Sequence, residues 1–288
     1  MTRSICSEEH TLLQQSATFH QTAPLRVRLI PIPAILNTRR DMQQSHSPPT
    51  ASSVDPSNHE ATEERKRRCR EGVQQYQSNW KAVPTMTSHE LYSLLEERNS
   101  QKQQEDDESL WIVDVRSEAE RQVSMIQQAM TLSELETRVH HKQPTDPNHK
   151  TRVVFYCTIG YRSGMEATHY QQNWKKTHPE LECYNLDGIV SFSHVLAEKA
   201  STNQSTTTTT EPEEDITSHL ASCLVAPSTG EPTWKLHTYG MAWDMGDNTT
   251  FTSTYFDSSS LPRQLAHDSY HVSVRFWQRQ WHRLTKHG

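Results

Sequence analysis

The segment Val153-Val-Phe-Tyr-Cys-Thr-Ile-Gly-Tyr-Arg-Ser-Gly164 decides how this chain folds. Residues 153–156 are four β-branched or aromatic residues in a row. The run is too short for a helix and apolar on both faces, as a strand inside a parallel sheet must be. Cys157 follows at once, then a tight loop through Gly160, then a helical pattern through Met165, Ala167 and Trp174. Strand, loop and helix in that order put the cysteine at the carboxyl end of a buried strand, where open α/β sheets bind their ligands.

Working outward, residues 110–115 (LWIVDV) read as a second buried strand and 181–186 (LECYNL) as a weaker third. Between them lie three helix starts of the capping-box type: Thr87 with Glu90, Ser117 with Glu120, and Thr131 with Glu134. Strands alternating with helices predict an α/β layer fold with right-handed crossovers. The polar stretches 101–109 and 140–151 then fall at connections. His140, His141 and His149 show no ligand spacing there and read as solvated.

The rest of the chain is poorer in apolar residues. At 288 residues, 33% of them hydrophobic and only 8 glycines, with a mean hydropathy of -0.85, the chain has material for one compact domain rather than two. An average globular chain is roughly 45–50% apolar. The expected organisation is a disordered or targeting region over 1–63, a leading helix over 64–82, the α/β domain over 83–199, a low-complexity linker over 200–219 and a C-terminal extension over 220–288. The cluster Arg65, Lys66, Arg67, Arg68 and Arg70 is flanked by Glu63, Glu64 and Glu71 and reads as a solvated helix face. In the extension, Trp234 to Trp243 is expected to dock beside the edge of the site. Val274, Trp277, Trp281 and Leu284 form an amphipathic basic helix with Arg275, Arg279 and Arg283.

Charge and cysteine usage narrow the function. A formal net charge of -6 leaves no basic surplus to neutralise phosphates, so no nucleic-acid partner is expected. No stretch approaches the roughly 18 unbroken apolar residues of a membrane helix, and no transmembrane segment is expected. Five widely spaced cysteines, without a C-x-x-C pair or metal-like spacing, predict neither a disulfide scaffold nor a metal site. They imply a reducing compartment: cytoplasmic, or organellar if residues 1–40, with five Arg against Glu8 and Glu9, are a transit peptide. No cofactor is expected.

The loop itself points to a reactive sulfur. Cys157, Thr158, Ile159, Gly160, Tyr161 and Arg162 can curl so that successive N–H groups face inward as an anion nest, with Gly160 taking the conformation other residues resist. The helix starting near Ser163 adds its positive end, and Arg162 adds a cation. All of these favour thiolate over thiol.

The segment from about 83 to 197 resembles a rhodanese-like (sulfurtransferase) domain. Trp111-Ile-Val-Asp-Val-Arg116 resembles the family's strand ending in Asp-x-Arg, Cys157-Thr-Ile-Gly-Tyr-Arg162 its six-residue active-site loop, and Tyr184-Asn-Leu-Asp-Gly-Ile189 its last strand and turn. Where the family commonly has Gly-His-Ile-Pro-Gly-Ala, this chain has Ser124-Met-Ile-Gln-Gln-Ala129. The resemblance implies a three-layer α/β domain with a mainly parallel five-stranded sheet flanked by helices. It implies a cysteine persulfide on Cys157 that carries sulfane sulfur from a small donor to a thiol or cyanide-like acceptor. The amides of residues 158–162 would cradle that persulfide, while Asp114, Arg116 and Ser163 would support the site. Two other readings stay open: a catalytically inactive rhodanese-like module that binds a protein partner, and a cysteine-dependent phosphatase or arsenate reductase. Cysteine phosphatases place five residues between Cys and Arg and usually a His before the Cys; here there are four, after Tyr156.

Overall fold

The computed structural model describes residues 56–100, 109–141, 150–206 and 223–268. The targeting reading of 1–40, most of the expected linker and the basic helix around 274–284 lie outside the described residues, as do Cys6 and His149.

The two runs read as buried strands are β2 (Leu110–Asp114) and β5 (Thr151–Tyr156). They pair in parallel, with Trp111 opposite Val153 and Asp114 opposite Tyr156. On the other side of β5 lies β6 (Leu181–Leu186), again parallel. Two-residue strands complete the sheet, β1 (Thr85–Met86) beside β6 and β4 (Met130–Thr131) beside β2. The order is therefore β1-β6-β5-β2-β4, five strands all parallel, with β5 at the centre.

Alternation along the strands divides the apolar residues between two cores. Leu110, Ile112, Val154 and Tyr156 face one layer, built by α1 (Pro56–Gln77), α2 (Ser88–Ser100) and α6 (Ile189–Thr206) through Val73, Leu91, Leu95, Phe192 and Leu196. Trp111, Val113, Val153 and Phe155 face the other, built by α4 (Leu132–His141) and α5 (Tyr161–Thr177) through Leu135, Val139, Tyr170 and Trp174. A sheet with helices on both faces is the three-layer architecture expected for strands apolar on both sides. The capping boxes hold: Glu90 accepts from the Thr87 N–H at 2.7 Å, and Glu134 from the Thr131 N–H at 2.6 Å.

Three boundaries differ from expectation, one of them the end of the leading helix, which stops at Gln77 rather than at 82. The leading helix begins at Pro56 rather than 64, because proline suits a first helical turn and the helix is fastened along its length. Thr62 meets Asn248, Arg65 pairs with Asp244 at 3.2 Å, and Lys66 pairs with Glu198 at 3.2 Å. Of the basic cluster, Arg67 lies in solvent between Glu64 and Glu71, as a solvated face would. The last helix of the domain likewise runs past 199 to Thr206, where the Ser201 and Thr202 hydroxyls donate back to the Ala197 and Glu198 carbonyls.

Residues 223–268 return to the domain. Here β7 (Leu224–Val225) pairs antiparallel with β3 (Met125–Ile126), and β8 (Lys235–His237) pairs with β9 (Thr252–Thr254). Leu224, Leu236, Met245 and Phe251 share the core of α1 and α6. Among the described residues no helix is long and apolar enough to cross a membrane.

Candidate active site

Cys157 ends the central strand and is 1% exposed. The chain then turns through Thr158, Ile159 and Gly160 into α5, with Gly160 at φ +84° as the residue before the helix. Few side chains accept that backbone conformation at low cost. The Ser163 hydroxyl donates to the Cys157 sulfur at 3.4 Å from the first turn of α5, whose positive end faces the loop. Of the expected site residues, Ser163 is the one whose side chain meets the Cys157 sulfur.

The turn after β6 holds this loop from behind. Asn185 Nδ2 donates to the Gly160 carbonyl at 3.0 Å, Ile189 N–H to the Cys157 carbonyl at 2.9 Å, and Val190 N–H to the Thr158 carbonyl at 3.2 Å. Gly188, between them at φ +110°, lies so close that a Cβ would sit 2.4 Å from the Thr158 carbonyl oxygen and 2.6 Å from the Ile159 Cα. Gly188→Ala is therefore expected to cost about 2–3 kcal/mol, from backbone strain and overpacking together. Urea unfolding checks this; a variant as stable as the parent would show that the loop gives way freely.

Arg162 does not point at the sulfur as a free cation. Its guanidinium donates to both oxygens of Glu120, at 2.7 and 2.8 Å, and to the Thr158 hydroxyl at 3.1 Å. Glu120 is fully buried, in the short helix α3 (Glu118–Arg121). Burial alone would raise its carboxyl, but the Arg162 charge and hydrogen bonds outweigh this and hold it at about 2. The same carboxylate accepts from Ser117 N–H and hydroxyl, completing the capping box. On its outer side Arg162 meets the Asp268 carboxylate at 3.4 Å and stacks under the Tyr239 ring, 4.7 Å to its centroid. The segment Trp234 to Trp243 does reach the edge of the site.

Asp114 and Arg116 form a second pair, with both side chains wholly buried, at 2.7 Å. Asp114 also accepts from the Tyr156 hydroxyl at 2.6 Å, and Arg116 donates to the Ser124 carbonyl. Through the Ser124 carbonyl the pair braces the turn after α3; among the described residues no hydrogen bond is seen between it and Cys157. Tyr161 projects outward, 37% exposed, against Tyr76 and Trp80 of the leading segment. Cys69, Cys183 and Cys223 are buried; burial pushes the first thiol up to about 11 and the others to about 12. Among the described residues no three His, Cys, Asp or Glu side chains gather as a metal-binding group.

Sequence reading missed Glu120 as a partner of Arg162, although its capping box marked the residue. Asn185 and Gly188 were visible only as part of the last strand and turn, and Tyr239 only as part of an aromatic run. His237, buried beside the site and accepting the Tyr239 N–H at 3.1 Å, carried no signal.

A parallel α/β sheet with a cysteine at the carboxyl end of its central strand, inside a six-residue loop leading to a helix, defines the class. Residues 87–192 match the family model described as Rhodanese-like domain, and the chain contains such a domain. Solved structures that the chain matches include a protein of unknown function described as a possible tyrosine phosphatase, from Rhodopseudomonas palustris. It is 16% identical over 51% of this chain and 96% of that one, with a TM-score of 0.28. A thiosulfate sulfurtransferase from Pseudomonas aeruginosa is 22% identical over 46% of this chain and 22% of that one, with a TM-score of 0.31. A protein from Lactobacillus plantarum is 18% identical over 43% and 91%, with a TM-score of 0.28. Likeness at this level assigns no activity. No curated protein matches the chain.

Proposed function

We propose that the chain transfers sulfane sulfur through a persulfide on Cys157. The observation that carries the reading is the seat of Cys157, between the end of the central strand and the start of α5, with the Ser163 hydroxyl donating to its sulfur. A nucleophile held there meets the positive end of the helix, which favours an anionic sulfur.

The chemistry proceeds in two halves. The Cys157 thiolate attacks the sulfane sulfur of a donor; a new S–S bond forms, and the donor's bond to that sulfur breaks with its electron pair leaving on the donor remnant. The outer sulfur now carries the negative charge, where loop N–H groups and the helix end would stabilise it. A thiol or cyanide-like acceptor then attacks the outer sulfur, the Sγ–S bond breaks, and the thiolate returns. Two half-reactions through one covalent intermediate predict ping-pong kinetics.

Intact-mass measurement after exposure to thiosulfate, 3-mercaptopyruvate or a persulfide donor tests this. One added sulfur is expected, removed by cyanide and absent from Cys157→Ser. The high thiol values of Cys69, Cys183 and Cys223 leave them poor competitors. Hydrolysis of phosphate esters without sulfur loading would replace this reading with a phosphatase, and neither activity would leave a module that binds a protein partner.

A further inference from the structure

We propose that Asp268 and Tyr239 form a charge filter at Cys157, which admits uncharged or singly charged sulfur donors and turns away dianionic ones such as thiosulfate. The inference rests on Cys157 being the nucleophile, and it deepens that reading by naming the donor class.

The charges around the loop's cation carry the argument. Arg162 supplies one positive charge; Glu120 at 2.7 Å and Asp268 at 3.4 Å supply two negative ones. One positive against two negative leaves these three side chains with a single negative charge; His267 Nδ1 lies 3.4 Å from the other Asp268 oxygen and adds a positive charge only when protonated. Asp114 and Arg116 cancel each other, and buried His237, held down to about 4 chiefly by burial, adds no positive charge at neutral pH. Without Asp268 the cluster would be neutral.

Asp268 is fixed rather than incidental. The Tyr239 hydroxyl donates to one of its oxygens at 2.8 Å and Gln264 Nε2 to the other at 2.7 Å. Tyr239 itself sits at φ +68°, a costly conformation for an aromatic residue. His237, accepting its N–H, and the Phe256 N–H, donating to its carbonyl at 3.2 Å, hold it there. Strain of this kind persists only where the surroundings over-determine it, and here it lays the ring over Arg162.

The experiment compares alkylation of Cys157 in the full chain by iodoacetate, which is anionic, and by iodoacetamide, which is neutral, read at the Cys157 peptide. The ratio of the two rates cancels any change in thiolate population or steric access and leaves charge. Asp268→Asn is expected to raise the iodoacetate-to-iodoacetamide ratio about five- to tenfold, with the gain shrinking in high salt. Asp268→Glu is expected to keep the parent ratio. An unchanged ratio in Asp268→Asn, an equal rise in both rates, or a Cys157 closed to both reagents in every form would overturn the filter. Sulfur loading is scored separately: a chain that shows the ratio change yet never gains a sulfur would sink the sulfurtransferase reading and not the filter.

Discussion

Replacing Arg116 by Met is expected to cost about 3–5 kcal/mol of folding stability, the loss typical of breaking a wholly buried ion pair by removing one member. Neither Arg116 nor Asp114 touches solvent. Asp114 would be left with the Tyr156 hydroxyl and the backbone N–H of residue 116 as donors, and with no opposite charge. A buried carboxylate without an opposite charge is costly to keep in the core. The double change Asp114→Asn with Arg116→Met, which removes both charges, is expected to recover much of the loss. Urea denaturation of the parent, both single variants and the double variant gives the coupling. Single losses that simply add in the double variant would mean that the two side chains do not act as a pair.

The second large effect concerns Glu120 and is written in the pH dependence. Its carboxyl is held at about 2 in the fold against an ordinary 4.5. A group depressed in this way stabilises the fold fully above 4.5, and that contribution fades as the pH falls towards 2. The contribution at neutral pH is about 3 kcal/mol, and Glu120→Gln is expected to lose about that much. The gap between parent and variant should close as the pH falls from 4.5 to 2. Other groups act at higher pH: His194 and His237 are both lowered by burial, and Asp187, raised by burial, opposes them. His237, depressed from 6.5 to about 4 by burial, favours the fold above 6.5 and loses that as pH falls to 4. Asp187, raised from 3.8 to about 6 by burial despite its bonds from Ser88, burdens the fold above 6 and is relieved as pH falls. Below 4 Asp257, lowered to about 2 by hydrogen bonds from Ser259 and Ser260, adds to the slope of parent and variant alike, so it is the difference between the two that reports Glu120. A constant difference between parent and Glu120→Gln from pH 5 to 2 would refute the assignment.

Why some of this was legible and some was not follows from how far apart the partners lie. β2 and β5 announced themselves because strands apolar on both faces leave an unbroken run, and Cys157 was legible because the run ends on it. β1 and β4 are two residues each, too short for any periodicity, and exist only because β6 and β2 offer them an edge. Glu120 satisfied a local rule so well, as the third residue of a capping box, that its second partner 42 residues on went unsuspected. The contact of Asp268 with Arg162 spans 106 residues, and no local pattern encodes it. Sequence reading thus reached Cys157 and its loop as elements of the fold, and stopped at the charged groups gathered around Arg162.

Vectorial synthesis gives the reach of these contacts a temporal meaning. When Cys157 leaves the ribosome, the residues that shape its loop do not yet exist as structure, for Asn185, Gly188, Ile189 and Val190 all follow it. Once they have emerged and β6 has paired with β5, the loop can close around the sulfur. Tyr239 and Asp268 come later still, the latter about 80 residues beyond Gly188. At roughly 5–20 residues per second, this leaves an interval of about 4–16 seconds. During it the nascent chain carries a formed Cys157 loop whose Arg162 is paired with the Glu120 carboxylate and not yet with that of Asp268. A newly made chain therefore passes through a brief stage in which Cys157 and its loop stand in a different electrostatic setting from that of the finished protein.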